Sequence, residues 1–163
     1  MLIIVGGSAG SGKSTVGQEL ANYLNCSFID ADDLHPAANI EKMSHGIPLT
    51  DDDRWGWLEV VGRKGGDAAA RSGTAVVACS ALSKAHRDKI RASCAVPVLI
   101  VMLNISRPEL ERRISSRKNH FMKADMLDSQ LATLQLPDET ENAIVVDEHV
   151  SLENIEDKVK QKI

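Results

Sequence analysis

The chain has 163 residues, 43% hydrophobic and 26% charged, with a formal net charge of -4. A chain of that length buries roughly two-thirds of its unfolded surface as one unit, so a single domain over 1–163 is expected. The acidic balance gives no whole-molecule attraction for nucleic acid or an anionic membrane, and neither is expected as a partner.

Leu2–Gly6 is an apolar run and predicts a first strand. Gly7-Ser8-Ala9-Gly10-Ser11-Gly12-Lys13-Ser14 follows and matches the phosphate-loop pattern G-x-x-x-x-G-K-[ST]. Val16, Leu20 and Leu24, four apart, predict a helix behind it. Ser27–Asp30 predicts a second strand, running into the acidic segment Asp30-Ala31-Asp32-Asp33-Leu34-His35-Pro36. Thr50-Asp51-Asp52-Asp53 predicts a helix start, and Ala75–Cys79 and Val98–Leu103 predict two more strands. Ser106-Arg107-Pro108-Glu109 predicts a capping box with proline in the first turn of a helix through Leu110 and Ile114. Arg117–Leu127 is basic and aperiodic, and predicts a mobile lid at about 117–128. Ile144–Asp147 predicts the last strand, and Leu152, Ile155 and Val159 mark a final helix. Strands rich in Val and Ile, alternating with helices, predict an α/β class: a three-layer fold on a five-stranded parallel sheet.

Cys26, Cys79 and Cys94 show no paired spacing and read as reduced thiols. The apolar start at Met1–Val5 is too short for a signal peptide, and no stretch approaches the eighteen or so apolar residues of a membrane span. A cytoplasmic location is the expectation.

In the phosphate loop, glycines let the backbone curl so that successive N–H groups face phosphate oxygens, and the helix dipole adds to that field. Gly7, Ser8, Ala9, Gly10, Ser11, Gly12, Lys13, Ser14 and Thr15 are therefore candidates for binding ATP. Lys13 supplies a cation for the β- and γ-phosphates, and Ser14 a hydroxyl for Mg²⁺. Asp30, at the carboxyl end of the second strand, suits the metal side. Asp32 is the candidate acceptor base, facing the same way as Asp30 if the chain stays extended. Asp33 reads equally well as a turn residue.

No guanine-specifying N-K-x-D occurs, which excludes a signalling GTPase. Asp53-Arg54-Trp55-Gly56 fits D-x-x-G but follows no strand. Ala143-Ile144-Val145-Val146-Asp147-Glu148 imitates the acidic strand of a motor or AAA-type ATPase, yet only one helix remains after it. The small-molecule and nucleotide kinases remain, which need cations around the transferring phosphoryl group. Arg113 and Arg117, four apart on one helix face, are the candidates, whereas Arg107 and Arg112 read as solvated. His45 and His149 read as surface residues, and no His–Cys spacing suggests zinc.

These residues resemble the P-loop gluconokinases over almost the whole chain. The likeness rests on Gly7–Ser14, the D-A-D-D-x-H-P block at 30–36, Asn39-Ile40-Glu41-Lys42-Met43, and Gly46 through Arg54 with its P-L-x-D-x-D-R core. It continues at Cys79-Ser80-Ala81-Leu82, Arg117-Lys118-Asn119-His120-Phe121, Gln130 and Thr133-Leu134-Gln135. The resemblance implies an adenylate-kinase-like fold, usually dimeric, that converts D-gluconate and ATP into 6-phosphogluconate and ADP. It also implies that Asp32, Lys42, Arg54 and the segment from Cys79 to Arg87 surround the sugar acid. Arg54 suits the carboxylate, gripping it bidentately. Ser80, His35, His86, Arg87 and Gln135 are candidates for its hydroxyls. The reading packs adenine on Arg113 near the strand end at Asp147, and closes a lid carrying Arg117 and His120. The chain departs from the family at Ser83, usually lysine, and at His86, usually aromatic. A kinase for shikimate or a nucleoside monophosphate, and a nucleotide-binding module without catalysis, are the alternatives.

Overall fold

The computed structural model describes residues 1–116 and 124–163. Its centre is a parallel sheet of β1 (Leu2–Gly7), β2 (Ser27–Asp30), β3 (Ala75–Ala78), β4 (Val98–Leu103) and β5 (Ala143–Val146), in the order β2-β3-β1-β4-β5. β1 lies between β3 and β4, with Leu2 opposite both Ala75 and Val98. Its residues Leu2, Ile3, Ile4 and Val5 are fully buried. Side chains alternate across a strand, so Leu2 and Ile4 enter one core layer and Ile3 and Val5 the other.

The first layer packs the sheet against α3 (Asp51–Ser72) and α4 (Lys84–Ala92), through Trp57, Leu58, Val61 and Ile90. The second packs it against α1 (Lys13–Leu24), α5 (Arg107–Ser115), α6 (Ala124–Thr133) and α7 (Leu152–Lys160), through Leu20, Leu110, Leu127 and Val159. Truncating a fully buried Leu such as Leu58 costs roughly 2–5 kcal/mol. A short helix α2 (Ala37–Ser44) precedes α3. The three-layer parallel architecture expected from the alternating runs is the one found.

α3 is 22 residues long and so spans about 33 Å. It lies unusually close to its neighbours. A Cβ at Gly62 would stand 2.5 Å from the Ile90 carbonyl oxygen of α4, and one at Gly65 would stand 2.8 Å from Leu2 Cδ1. Glycine in a helix interior costs about 1 kcal/mol each, offset here by the approach it permits.

Element ends differ slightly from expectation. β1 runs one residue further, β3 stops one residue sooner, and β5 starts one residue earlier. The capping box at Thr50 forms: Asp53 N–H donates to Thr50 Oγ1 and Thr50 N–H to Asp53 Oδ2. The one predicted at Ser106 does not. Glu148, just beyond β5, accepts both the Ser106 hydroxyl and its N–H, while Glu109 is held by Arg112 and Arg113. A stronger carboxylate acceptor from elsewhere in the chain has displaced the local motif. Of the expected lid, residues 117–123 lie outside the described residues, and 124–128 belong to α6.

Candidate active site

The loop between β1 and α1 is curled by glycines at positive φ, with Gly7 at 152°, Gly10 at 77° and Gly12 at 89°. Gly7 also cannot carry a side chain, since a Cβ there would lie 2.5 Å from Ser11 Oγ. The Ser11 N–H closes the curl onto the Ser8 carbonyl at 3.2 Å. α1 then starts at Lys13 with no acidic residue in its own first turn to offset its N-terminal field. Ala9, Gly10, Gly12, Lys13, Ser14 and Thr15 line one wall of a cavity of about 320 Å³. Gly7, Ser8 and Ser11 stand behind that wall and shape it: Ser8 and Ser11 are buried, and Ser11 Oγ has no hydrogen-bond partner among the described residues.

The opposite wall starts at the end of β2. The chain turns into a 3-10 helix, Ala31–Leu34, instead of staying extended as expected, because Asp30 caps it: its Oδ1 accepts the Asp32 N–H at 3.0 Å. Asp30 Oδ2 accepts the Ser14 hydroxyl at 2.8 Å, tying the turn to α1. Asp32 still reaches the cavity. Burial raises its carboxyl pKa above the usual aspartate value, and the Lys13 charge works against that rise. His35, Arg54 and Ser80 complete the wall, with Trp57, Met43, Pro48 and Leu49 as apolar lining. His35 stacks on Trp57 with ring centres 3.9 Å apart, and Trp57 Nε1 donates to the Ala31 carbonyl at 2.7 Å.

Ser14 and Asp30 fit a hard cation: a hydroxyl beside a carboxylate, on the rim of a phosphate cradle. Among the described residues no three His, Cys, Asp or Glu side chains gather into a metal cage. Mg²⁺ held there would take its other ligands from phosphate oxygens and water, its usual habit.

Other expected residues lie elsewhere. Arg87, expected to meet the substrate, is fully buried, and its guanidinium is spent: a bidentate pair with Glu141 at 2.7 Å, plus bonds to the carbonyls of Ala81, Leu82 and Gln135. A buried guanidinium requires such saturation, so Arg87 braces the wall without touching the cavity. Gln135 shares that work, with its Oε1 on the Lys84 N–H. His86 is buried too, its Nδ1 accepting the Ser83 N–H and its Nε2 2.8 Å from Asp51 Oδ1. Lys42 pairs with Asp53 at 2.9 Å and is absent from the cavity lining. Arg113 grips the loop from outside, donating to the Ser11 carbonyl at 3.1 Å and pairing with Glu109. Asp147 accepts the His149 N–H and does not line the cavity. Arg117 and His120 lie outside the described residues.

Three contributors were not among the expected site residues. Gln130 of α6 lines the cavity, and its Oε1 accepts the Ala9 N–H of the phosphate loop at 2.7 Å. Trp57 stands one helical turn beyond Arg54, a spacing that placed it on the same face. Asn39 is almost wholly buried beneath the acceptor wall. The departures at Ser83 and His86 also meet in one local motif. They form a capping box together, Ser83 as N-cap and His86 as its partner three residues on.

A family model described as an AAA domain matches residues 2–137. The carboxylate beside Ser14 comes from β2, while the acidic end of β5 stands at the far edge of the sheet. A Saccharomyces cerevisiae protein named "Probable gluconokinase" is 47% identical over 145 residues, covering 84% of this chain and 75% of that protein. The gluconokinase of Gluconobacter oxydans is 42% identical over 144 residues, 88% of this chain and 80% of that one. The crystal structure of a gluconokinase from Sinorhizobium meliloti superposes with TM-score 0.84 at 42% identity, over 98% of this chain and 89% of that one. With that identity over that length, and a nucleotide cradle facing an acid-and-arginine wall, the chain belongs to the gluconokinase family of P-loop kinases.

Proposed function

We propose that the protein is a gluconokinase that transfers the γ-phosphoryl group of ATP to the 6-hydroxyl of D-gluconate, giving 6-phospho-D-gluconate and ADP. The observation that carries it is the sharing of one cavity by Lys13 and Ser14 on one wall and Asp32 and Arg54 on the other. The loop's N–H groups and Lys13 bind the triphosphate, and Ser14 with Asp30 would hold Mg²⁺. Bound there, the ion neutralises charge on the β- and γ-phosphates. Arg54 takes the gluconate carboxylate. Asp32 accepts the proton of the 6-hydroxyl as its oxygen bonds to the γ-phosphorus and the bond from that phosphorus to the β–γ bridging oxygen breaks. Desolvation raises the Asp32 pKa and so strengthens it as a proton acceptor, with the Lys13 charge working against that rise. Ser80 and His35 are the hydroxyl contacts in this reading, and Arg117 and His120 remain its lid contribution.

The test is ADP release by the purified protein with gluconate, shikimate and AMP as acceptors, with and without Mg²⁺. Gluconate-dependent, Mg²⁺-dependent release is expected. Release with shikimate or AMP alone replaces the acceptor, and acceptor-independent release replaces the reaction. A homodimer in the cytoplasm belongs to the same proposal, checked by light scattering and by fractionation. Among the described residues no helix is long and apolar enough to cross a membrane.

A further inference from the structure

Asn39 sits on α2, beneath the acceptor wall, with 3% of its surface exposed. Its amide nitrogen Nδ2 makes two contacts. One is to the Asp53 main-chain carbonyl at 2.9 Å, the other to His35 Nδ1 at 3.2 Å. A carbonyl can only accept, so the end of the amide facing Asp53 must be the NH₂ and not the oxygen. Its second hydrogen then points at His35, and Nδ1 must offer a lone pair to receive it. A neutral imidazole with a bare Nδ1 carries its proton on Nε2. Nε2 has no partner among the described residues, and His35 lines the cavity.

We propose that Asn39 is a positioning residue that locks His35 as the Nε2–H tautomer, making His35 a hydrogen-bond donor to an oxygen of the acceptor substrate and never its proton acceptor. This rests on the reading of the cavity as a sugar-acid kinase site. The surroundings hold the lock from several sides. Trp57 stacks on one face of the ring, fixing its plane, and is itself anchored on the Ala31 carbonyl. Asp53, whose carbonyl orients the amide, is held in the Thr50 capping box and by Lys42. Protonating Nδ1 would set two donors head to head across 3.2 Å. Burial and the nearby Arg54 charge already hold the His35 pKa down to about 4. Division of labour across the wall follows: Asp32 takes the proton, and His35 orders the hydroxyl chain beside it. The lock also favours oxygen-rich acceptors, since an N–H aimed into the cavity is left unpaired by any ligand lacking an acceptor there.

Nitrogen-15 NMR of the ligand-free protein decides the tautomer without any substrate. Nδ1 is expected in the unprotonated range and Nε2 in the protonated range from neutral pH down to near 4. Asn39→Leu is expected to shift both nitrogens toward a tautomer mixture. A protonated Nδ1 in the unsubstituted protein, or an Asn39→Leu spectrum identical to it, overturns the lock. Should Asn39→Leu fail to fold, His35 itself carries the second arm. His35→Gln returns an N–H near the Nε2 position and should keep the gluconate KM within a few-fold, whereas His35→Leu should raise it roughly tenfold. His35→Leu should raise the gluconate KM by a larger factor than it lowers kcat. A kcat loss of about 10²-fold or more in His35→Gln would make the ring a base and overturn the donor role. If the protein phosphorylates no sugar acid at all, the substrate reading fails separately, and the NMR result still stands on its own.

Discussion

Across the cavity, the phosphate wall presents main-chain N–H groups shaped by three glycines, while the acceptor wall presents side chains that hold one another. The first wall needs little support, because backbone curvature alone creates its field. The second is a lattice two residues deep. Arg54 and His35 face the cavity; Asp51, Asn39 and Trp57 hold them; His86, Lys42 and Arg87 brace those in turn or the segment behind them. Nucleotide binding is thus written in a short contiguous motif, and acceptor choice in contacts spread over more than a hundred residues.

The sharpest break between the walls is chemical. Asp32→Asn should lower kcat by roughly 10²–10⁴-fold while nucleotide affinity, measured by calorimetry, stays near that of the unsubstituted protein. Equal loss of both would mean that Asp32 belongs to the phosphate side. Two arginines of the acceptor half give the next contrast. Arg87→Ala leaves the buried Glu141 carboxylate with Arg91 as its one remaining cation among the described residues, and takes the donor from the Ala81, Leu82 and Gln135 carbonyls. It should cost up to about 3–5 kcal/mol of stability in denaturant unfolding. Arg54→Ala should leave the unfolding midpoint nearly unchanged and raise the gluconate KM by roughly 10–100-fold, the loss of a charge-assisted contact. A stable Arg87→Ala, or an Arg54→Ala with its gluconate KM intact, would merge the two roles.

Acid sharpens the comparison further. An unfolded histidine takes up its proton near 6.5, but His35 folded takes it only near 4, and burial lowers His86 as well. The unfolded chain therefore binds more protons in that window. Stability is fully present above pH 6.5 and falls as pH drops toward 4. His35 contributes at most about 1.4 kcal/mol per pH unit, less as solvent screens the ring, and His86 adds in the same direction. Glu141, held down to about 2 by Arg87, adds a second loss below about 4.5. A melting temperature flat between pH 8 and 5 would contradict this account. The smallest effect belongs to the joint between the walls. Gln130→Ala frees the Ala9 N–H and should change the ATP KM by only a few-fold, the worth of one neutral hydrogen bond.

How much of this could be read from the chain follows the same division. The five strands were legible because β1, β3 and β4 are apolar on both faces, a pattern that depends on burial alone. The phosphate loop was legible because its work is done within one contiguous stretch, by its own backbone and the Lys13 and Ser14 side chains. Arg87 and Arg54 look alike in sequence, each a cation in a candidate binding segment, and only the distant Glu141 turned the first into a brace. Ser83 and His86 read as two unrelated departures, since a capping box with histidine as its return partner falls outside the usual Glu or Gln pattern. The Ser106 box failed for the converse reason: a local motif lost its serine to Glu148, 42 residues away.

The close approach of α3 has a consequence for how this enzyme can change over evolutionary time. Arg54 and Trp57 ride on the first turns of a rod whose middle is pinned at Gly62 and Gly65 against α4 and β1. An added methyl at Gly62 would meet the Ile90 main-chain carbonyl and push the rod from its seat, shifting the carboxylate grip and the stacking platform with it, whereas one at Gly65 would meet side-chain ends that can give. Change at the buried, chemically silent Gly62 therefore reaches the acceptor wall from a place no ligand touches.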